Sequence, residues 1–175
     1  MTTRRSAQIG AANLVTASRL GLVIVLWLMA PDRPWRLLLV ASAAALLDAV
    51  DGPLARRRGE VSRFGARFDM ETDALLIVTL SVLAWRLGKA GPWVLLSGAM
   101  RYLFVGASWI WPWLAHDLPE SYRRKAVCVV QVVTLLAALA PVLPPQVSAG
   151  VAAAGLLLLT WSFAVDVAWL ARHRA

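Results

Sequence analysis

Four aspartates have the types and spacing for chemistry: Asp48 and Asp51, three residues apart, and Asp69 and Asp73, four apart. On a helix, either spacing places both carboxylates on one face. Four carboxylates brought together repel one another and stay ionised only beside compensating cations. Hard oxygen donors of this kind suit Mg²⁺, Mn²⁺ or Ca²⁺. The Asp-x-Asp-x-Asp-Gly spacing of an EF-hand is absent. Carboxylate-held divalent ions can clamp a pyrophosphate and neutralise charge on the attacking and leaving oxygens. Gly52 has no side chain to block close approach of a ligand. Arg56 can hold a phosphate oxygen bidentately, and one carboxylate can take a proton from an incoming hydroxyl. For any single aspartate, pairing with Arg56, Arg63 or Arg67 is the plainer reading. Four at helical spacing, joined to a glycine and an arginine, point instead to phosphoryl or phosphatidyl transfer.

The elements that must position these residues are apolar. Of 175 residues, 59% are hydrophobic and 16% charged, with a mean hydropathy of +0.65. A soluble domain is nearer half apolar and a quarter charged, and a chain this short cannot hide the excess in one core. That composition argues against a soluble enzyme, a disordered chain and a disulfide scaffold; the single Cys128 cannot bridge internally. A membrane-spanning helix needs about 20 apolar residues. The predicted spans are 13–30, 35–54, 70–87, 92–114, 124–141 and 147–170. They are broken at Pro31 to Pro34, Arg56 to Arg67, Lys89 to Pro92, His116 to Glu120 and Pro141 to Gln146. The expected fold is an all-α integral membrane bundle of six transmembrane helices, one domain over residues 1–175.

The net charge is +8. Because the basic residues interrupt apolar stretches, they read as topology signals and contacts with anionic headgroups, not as a nucleic-acid surface. With the N-terminus inside, Arg4, Arg5, Arg56, Arg57, Arg58, Arg63, Arg67, Arg123, Arg124, Lys125, Arg172 and Arg174 all fall on the cytoplasmic side. Arg33, Arg36, Arg86 and Lys89 fall outside. This asymmetry predicts both termini in the cytoplasm. Arg4 and Arg5 precede an apolar run without a small-residue cleavage site, so no cleaved signal peptide is expected. Trp35, Trp85, Trp93, Trp111, Trp113 and Trp169 lie near predicted helix ends, as interfacial anchors do.

The pattern D-x-x-D-G-x-x-A-R-x8-G-x3-D-x3-D, unbroken from Asp48 to Asp73, resembles the signature of the CDP-alcohol phosphotransferases. Asn13-Leu-Val-Thr16-Ala-Ser-Arg19 is similar to that family's N-x-x-T-x-x-R element, with Ala12 where a proline usually precedes it. The resemblance implies two metal ions, Mg²⁺ or Mn²⁺, on Asp48, Asp51, Asp69 and Asp73. It also implies Asp73 as general base. Asn13, Thr16, Gly52, Arg56, Ser62 and Gly65 would contact the CDP part of the donor. Such enzymes move the phosphatidyl group of CDP-diacylglycerol, or a related CDP-linked group, to an alcohol and release CMP. The resemblance further implies a homodimer in the cell membrane with its site open to the cytoplasm.

The acceptor is read from residues outside the motif. Arg19 and Arg101 lie inside predicted spans, and Arg123, Arg124 and Lys125 open the fifth. Together these cations can bind the phosphate of an acceptor such as glycerol 3-phosphate, the first choice here. Inositol phosphate, serine and phosphatidylglycerol are further candidates. Arg123 to Lys125 also suit a plain juxtamembrane cluster, and Arg101 suits snorkelling or pairing with an acid. Glu71 reads as a surface or supporting carboxylate. Asp166, polar at depth, has no evident partner, and His116, His173 and Cys128 stand alone. The competing class is a divalent-cation transporter, which would spread its acids along a path across the bilayer.

Overall fold

The computed structural model describes residues 11–29, 33–58, 63–116, 118–119 and 121–173, with the side chains at 11–15 and 48–67 outside that description. All regular structure among the described residues is helical: α1 (Ala11–Leu28), α2 (Pro34–Arg58), α3 (Arg63–Arg86), α4 (Leu95–Ile110), α5 (Tyr122–Leu139) and α6 (Pro145–Arg172). Short 3₁₀ turns at Pro92–Val94 and Pro112–Ala115 flank α4. Prolines set several starts, at Pro34, Pro92 and Pro145, where a missing N–H costs nothing. The fourth predicted span, 92–114, breaks at Trp111 because Pro112 cannot continue the helix.

The larger difference from the sequence expectation lies between the second and third spans. The basic stretch was expected as a break, yet α2 runs on through Pro53 to Arg58 and α3 already begins at Arg63. Hydropathy marks where a chain leaves an apolar phase, whereas arginine is a good helix former and lets the backbone continue. The motif therefore sits on two helix ends with a connection at 59–62, which lies outside the described residues.

Cross-helix contacts establish the directions. Arg19 meets Asp69 and Asp73 while Trp27 Nε1 donates to Thr79 Oγ1 at 2.9 Å, so α1 and α3 are parallel. Arg101 meets Glu71 and Gly98 meets Val78, so α4 runs against α3. Arg123 meets Asp166 and Gln131 faces Gly155, so α6 runs against α5. Lys89 Nζ, just beyond α3, donates to Ala140 O at 3.0 Å and Leu143 O at 2.6 Å, joining that end to the end of α5. The starts of α1, α3 and α5 thus share one end of the bundle with the finish of α4 and α6.

The core joins Leu26, Leu37, Leu80 and Leu135 with the small residues Ala41, Ala44, Ala84, Ala138 and Ala152. Small side chains let helix backbones approach closely. At Gly98 the approach is extreme: a Cβ there would lie 2.6 Å from the Cα of Val78. The far end of α3 closes in a Schellman arrangement. Gly88 takes φ +66°, its N–H reaches Trp85 O at 3.0 Å, and Lys89 N–H reaches Ala84 O at 2.9 Å.

The outer faces carry large apolar side chains, with Trp109 83% and Leu28 80% exposed. Patches of that kind mark surfaces meant for lipid or partners. Among the described residues, two helices are long and apolar enough to cross a membrane: Pro92–Ile110 and Pro145–Arg172. Trp35, Trp85 and Trp111 are exposed, as anchors should be, while Trp93 instead packs against the core.

Candidate active site

Asp69 and Asp73 lie one turn apart near the start of α3, and both point at α1. Arg19, only 2% exposed, donates from Nη1 to Asp69 Oδ1 at 2.9 Å and from Nη2 to Asp73 Oδ1. A planar guanidinium suits this task, since its donors diverge in a fixed fork that meets two carboxylates at once. Thr16, one turn before Arg19 on the same face of α1, is buried as well. Thr72, between the two aspartates, is buried and donates to its own helix at Phe68 O, 2.9 Å away. Arg19 was expected among the cations for an acceptor phosphate; the structure commits it to the two acids.

Asn13, Asp48, Asp51, Gly52, Arg56 and Gly65 are placed by their backbone only, on α1, the last turns of α2 and the start of α3. Ser62 lies outside the described residues. With so short a connection between α2 and α3, the Asp48–Asp51 turns occupy the same end of the bundle as Asp69 and Asp73. Among the described side chains, no three acids, histidines or cysteines gather into a metal centre. The donor chemistry nevertheless fits a divalent ion: Asp69 and Asp73 present hard oxygen atoms from one helix face.

The candidate acceptor cations separate into two places. Arg101 Nη2 donates to Glu71 Oε1 at 2.5 Å, between α4 and α3. Glu71 is exposed and faces away from the Asp69–Asp73 side, as its spacing implied. Arg123 and Arg124 lie instead at the junction of α5 and α6, beside a cleft of about 210 Å³ that Arg101 and Lys125 do not line. Lys125 Nζ stands 6.0 Å from the centre of the Tyr122 ring.

Asp166, without a partner in the sequence reading, has one here. Its Oδ1 accepts from Arg123 Nη2 at 2.5 Å and lies 3.6 Å from Arg124 Nη1. Arg123 Nη1 also donates to the carbonyl and hydroxyl of Ser162, at 2.7 and 2.5 Å. Ser162 was not singled out from sequence, although its spacing of four from Asp166 places both on one face of α6. His173, at the end of that helix, stacks on Trp169 with ring centres 4.1 Å apart.

Among the described residues the chain is all helical, with Asp69 and Asp73 at the same end of the bundle as the cleft beside Arg123 and Arg124. The chain belongs to the CDP-alcohol phosphatidyltransferase family, which it matches over residues 10–166. It is a transferase of substituted phosphate groups, using a CDP-alcohol donor and an alcohol acceptor. Members of this family generally depend on divalent cations. No curated protein matches the chain.

Proposed function

We propose that this protein moves the phosphatidyl group of CDP-diacylglycerol to a small alcohol and releases CMP, at the cytoplasmic face of the cell membrane. The observation that carries this reading is the Asp69–Asp73 pair held by Arg19, within a D-x-x-D-G-x-x-A-R-x8-G-x3-D-x3-D pattern that has no departures.

Asp48, Asp51, Asp69 and Asp73 hold two divalent ions, Mg²⁺ or Mn²⁺. When bound, such ions neutralise charge on the pyrophosphate of the donor. Gly52 and Arg56 receive the CDP part, with Asn13, Thr16, Ser62 and Gly65 around it. Asp73 takes the proton of the acceptor hydroxyl, for which its carboxylate must share or exchange its bond to Arg19. The hydroxyl oxygen then forms a bond to the phosphorus that carries diacylglycerol. The bond from that phosphorus to the bridging oxygen breaks, and CMP leaves with the electron pair.

All six helices cross the bilayer in this reading, with both termini in the cytoplasm and the protein a homodimer. Arg123 and Arg124 bind the acceptor, for which glycerol 3-phosphate is the first choice. Inositol phosphate, serine and phosphatidylglycerol are the other acceptors to try. Clustering of the acids at one pole supports an enzyme over a transporter, whose acids would follow a path across the membrane.

The deciding experiment measures CMP release by detergent-purified protein from CDP-diacylglycerol across these acceptors. Release that depends on one acceptor supports the reading. No release with any alcohol, together with divalent-cation flux in proteoliposomes, overturns it.

A further inference from the structure

Arg19 is the only charged residue of α1, and it is almost wholly buried, at 2% exposed. Thr16, Val23 and Leu26 continue its face along the helix and are buried too. The acids it meets are more open, with side-chain exposures of 49% for Asp69 and 28% for Asp73. One cation therefore sits on the closed side of two carboxylates that solvent can reach.

Arg19 is not placed to step aside. Moving its guanidinium off both carboxylates would leave a buried charge uncompensated, which is far less favourable than breaking an exposed ion pair. No acid of α1 offers it another partner. An ion that binds Asp69 and Asp73 must therefore share them with the guanidinium. Sharing is possible, because a carboxylate has about four acceptor sites and Arg19 uses Oδ1 of each.

Sharing weakens the ion's hold. The two carboxylates carry two negative charges, and Arg19 cancels one. A divalent ion then leaves this side of the centre with one positive charge in excess. At about 5 Å and an effective dielectric near 20, repulsion between ion and guanidinium is worth several powers of ten in affinity. Solvent at the open acids screens part of this, so that about 10-fold or more survives. Orientation works in the opposite direction, since losing a hydrogen bond that aims a ligand typically weakens metal binding about 10- to 100-fold. A neutral donor would aim the acids without repelling the ion; a buried cation does both. The pyrophosphate of a CDP-linked donor carries two negative charges, enough to remove the excess.

We infer that Arg19 is a positioning residue that makes metal loading depend on the donor. It holds the α3 acids half neutralised, so the free protein binds divalent ions weakly and the donor's pyrophosphate brings them in. The inference rests on the reading above, in which Asp69 and Asp73 are metal ligands, and adds to it a coupling between metal and donor.

The test uses the whole protein in detergent micelles with Mn²⁺ alone as the probe, free ion being counted by its electron paramagnetic resonance. Titrations are run without donor and with saturating CDP-diacylglycerol in mixed micelles, after subtraction of the Mn²⁺ that protein-free micelles hold. In wild type the donor should tighten Mn²⁺ at least about 10-fold. Arg19→Met should bind Mn²⁺ at least about 10-fold more tightly than wild type without donor, and should gain less from the donor than wild type does. Arg19→Lys keeps the charge and loses the fork, and should stay within about threefold of wild type. A packing defect alone would weaken Mn²⁺ binding in both variants and tighten it in neither.

Wild-type Mn²⁺ affinity that CDP-diacylglycerol leaves unchanged overturns the inference, and that measurement needs no variant to fold. So does unchanged or weaker Mn²⁺ binding by folded Arg19→Met. If CMP release nevertheless requires Mn²⁺, the proposed reaction stands and only the role of Arg19 falls. Donor-coupled Mn²⁺ binding without CMP release to any alcohol instead overturns the proposed reaction and leaves the role of Arg19 standing.

Discussion

Arg19 and Asp69 lie fifty positions apart in the chain, yet the buried guanidinium of one donates to the carboxylate of the other at 2.9 Å. The same guanidinium reaches Asp73, so α1 holds both acids of α3 from a single side chain. Metal-ligating carboxylates are commonly oriented by hydrogen bonds from a surrounding layer of residues. Arg19 is placed to do this for Asp69 and Asp73 in the proposed metal centre.

The two sides of that contact should respond unequally to mutation. The Asp69 and Asp73 side chains are partly exposed, whereas Arg19 is almost wholly buried. Arg19→Met should therefore cost about 1–3 kcal/mol, the range for a charged hydrogen bond. Replacing both acids by asparagine leaves the buried guanidinium without either carboxylate and should cost about 3–5 kcal/mol. Thermal midpoints of both variants in one detergent check the order; a double variant more stable than Arg19→Met contradicts it.

Asp73→Asn keeps size and one oxygen donor but removes the charge and the basic site. Turnover should fall at least about 10²-fold, since the loss of general-base help is compounded by disturbed metal binding. Donor binding should survive better, because Asp48, Asp51 and Asp69 remain. A role limited to pairing with Arg19 would lower stability and spare kcat per folded molecule. Steady-state rates beside a donor-binding isotherm separate the two.

Chelation should abolish CMP release, and Mg²⁺ or Mn²⁺ added in excess should restore it, because the carboxylates need countercharge before a pyrophosphate can approach. Full turnover in excess chelator would remove the two-metal proposal.

Far from the site, Gly88→Ala should destabilise the bundle by about 1–2 kcal/mol, because φ of +66° crowds a Cβ against the backbone. Nothing else stands in the way, since no atom lies within 4 Å of that Cβ position. The thermal midpoint should therefore fall while the Michaelis constants hold. An unchanged midpoint would mean that this turn relaxes freely.

Much of the architecture was legible in the residues themselves. Apolar stretches and their proline breaks mark the helices, because burying a stretch of backbone away from water demands internal hydrogen bonds whatever the neighbours are. The spacing of Asp69 and Asp73 implies a shared face, and the structure has them share one. The family is legible too, because its pattern is local, from Asp48 to Asp73. Helix ends were less legible: hydropathy stops α2 short of Arg58 and starts α3 late, because charge is a poor guide to where a backbone stops being helical. What only the tertiary structure decided is which charge meets which. Arg19 goes to Asp69 and Asp73, Arg101 to Glu71, and Arg123 to Asp166 with Ser162. Each pair joins two helices at least 30 positions apart. Periodicity tells a residue's face on its own helix; the partner across the gap is chosen by how whole helices pack, and that depends on every core side chain at once.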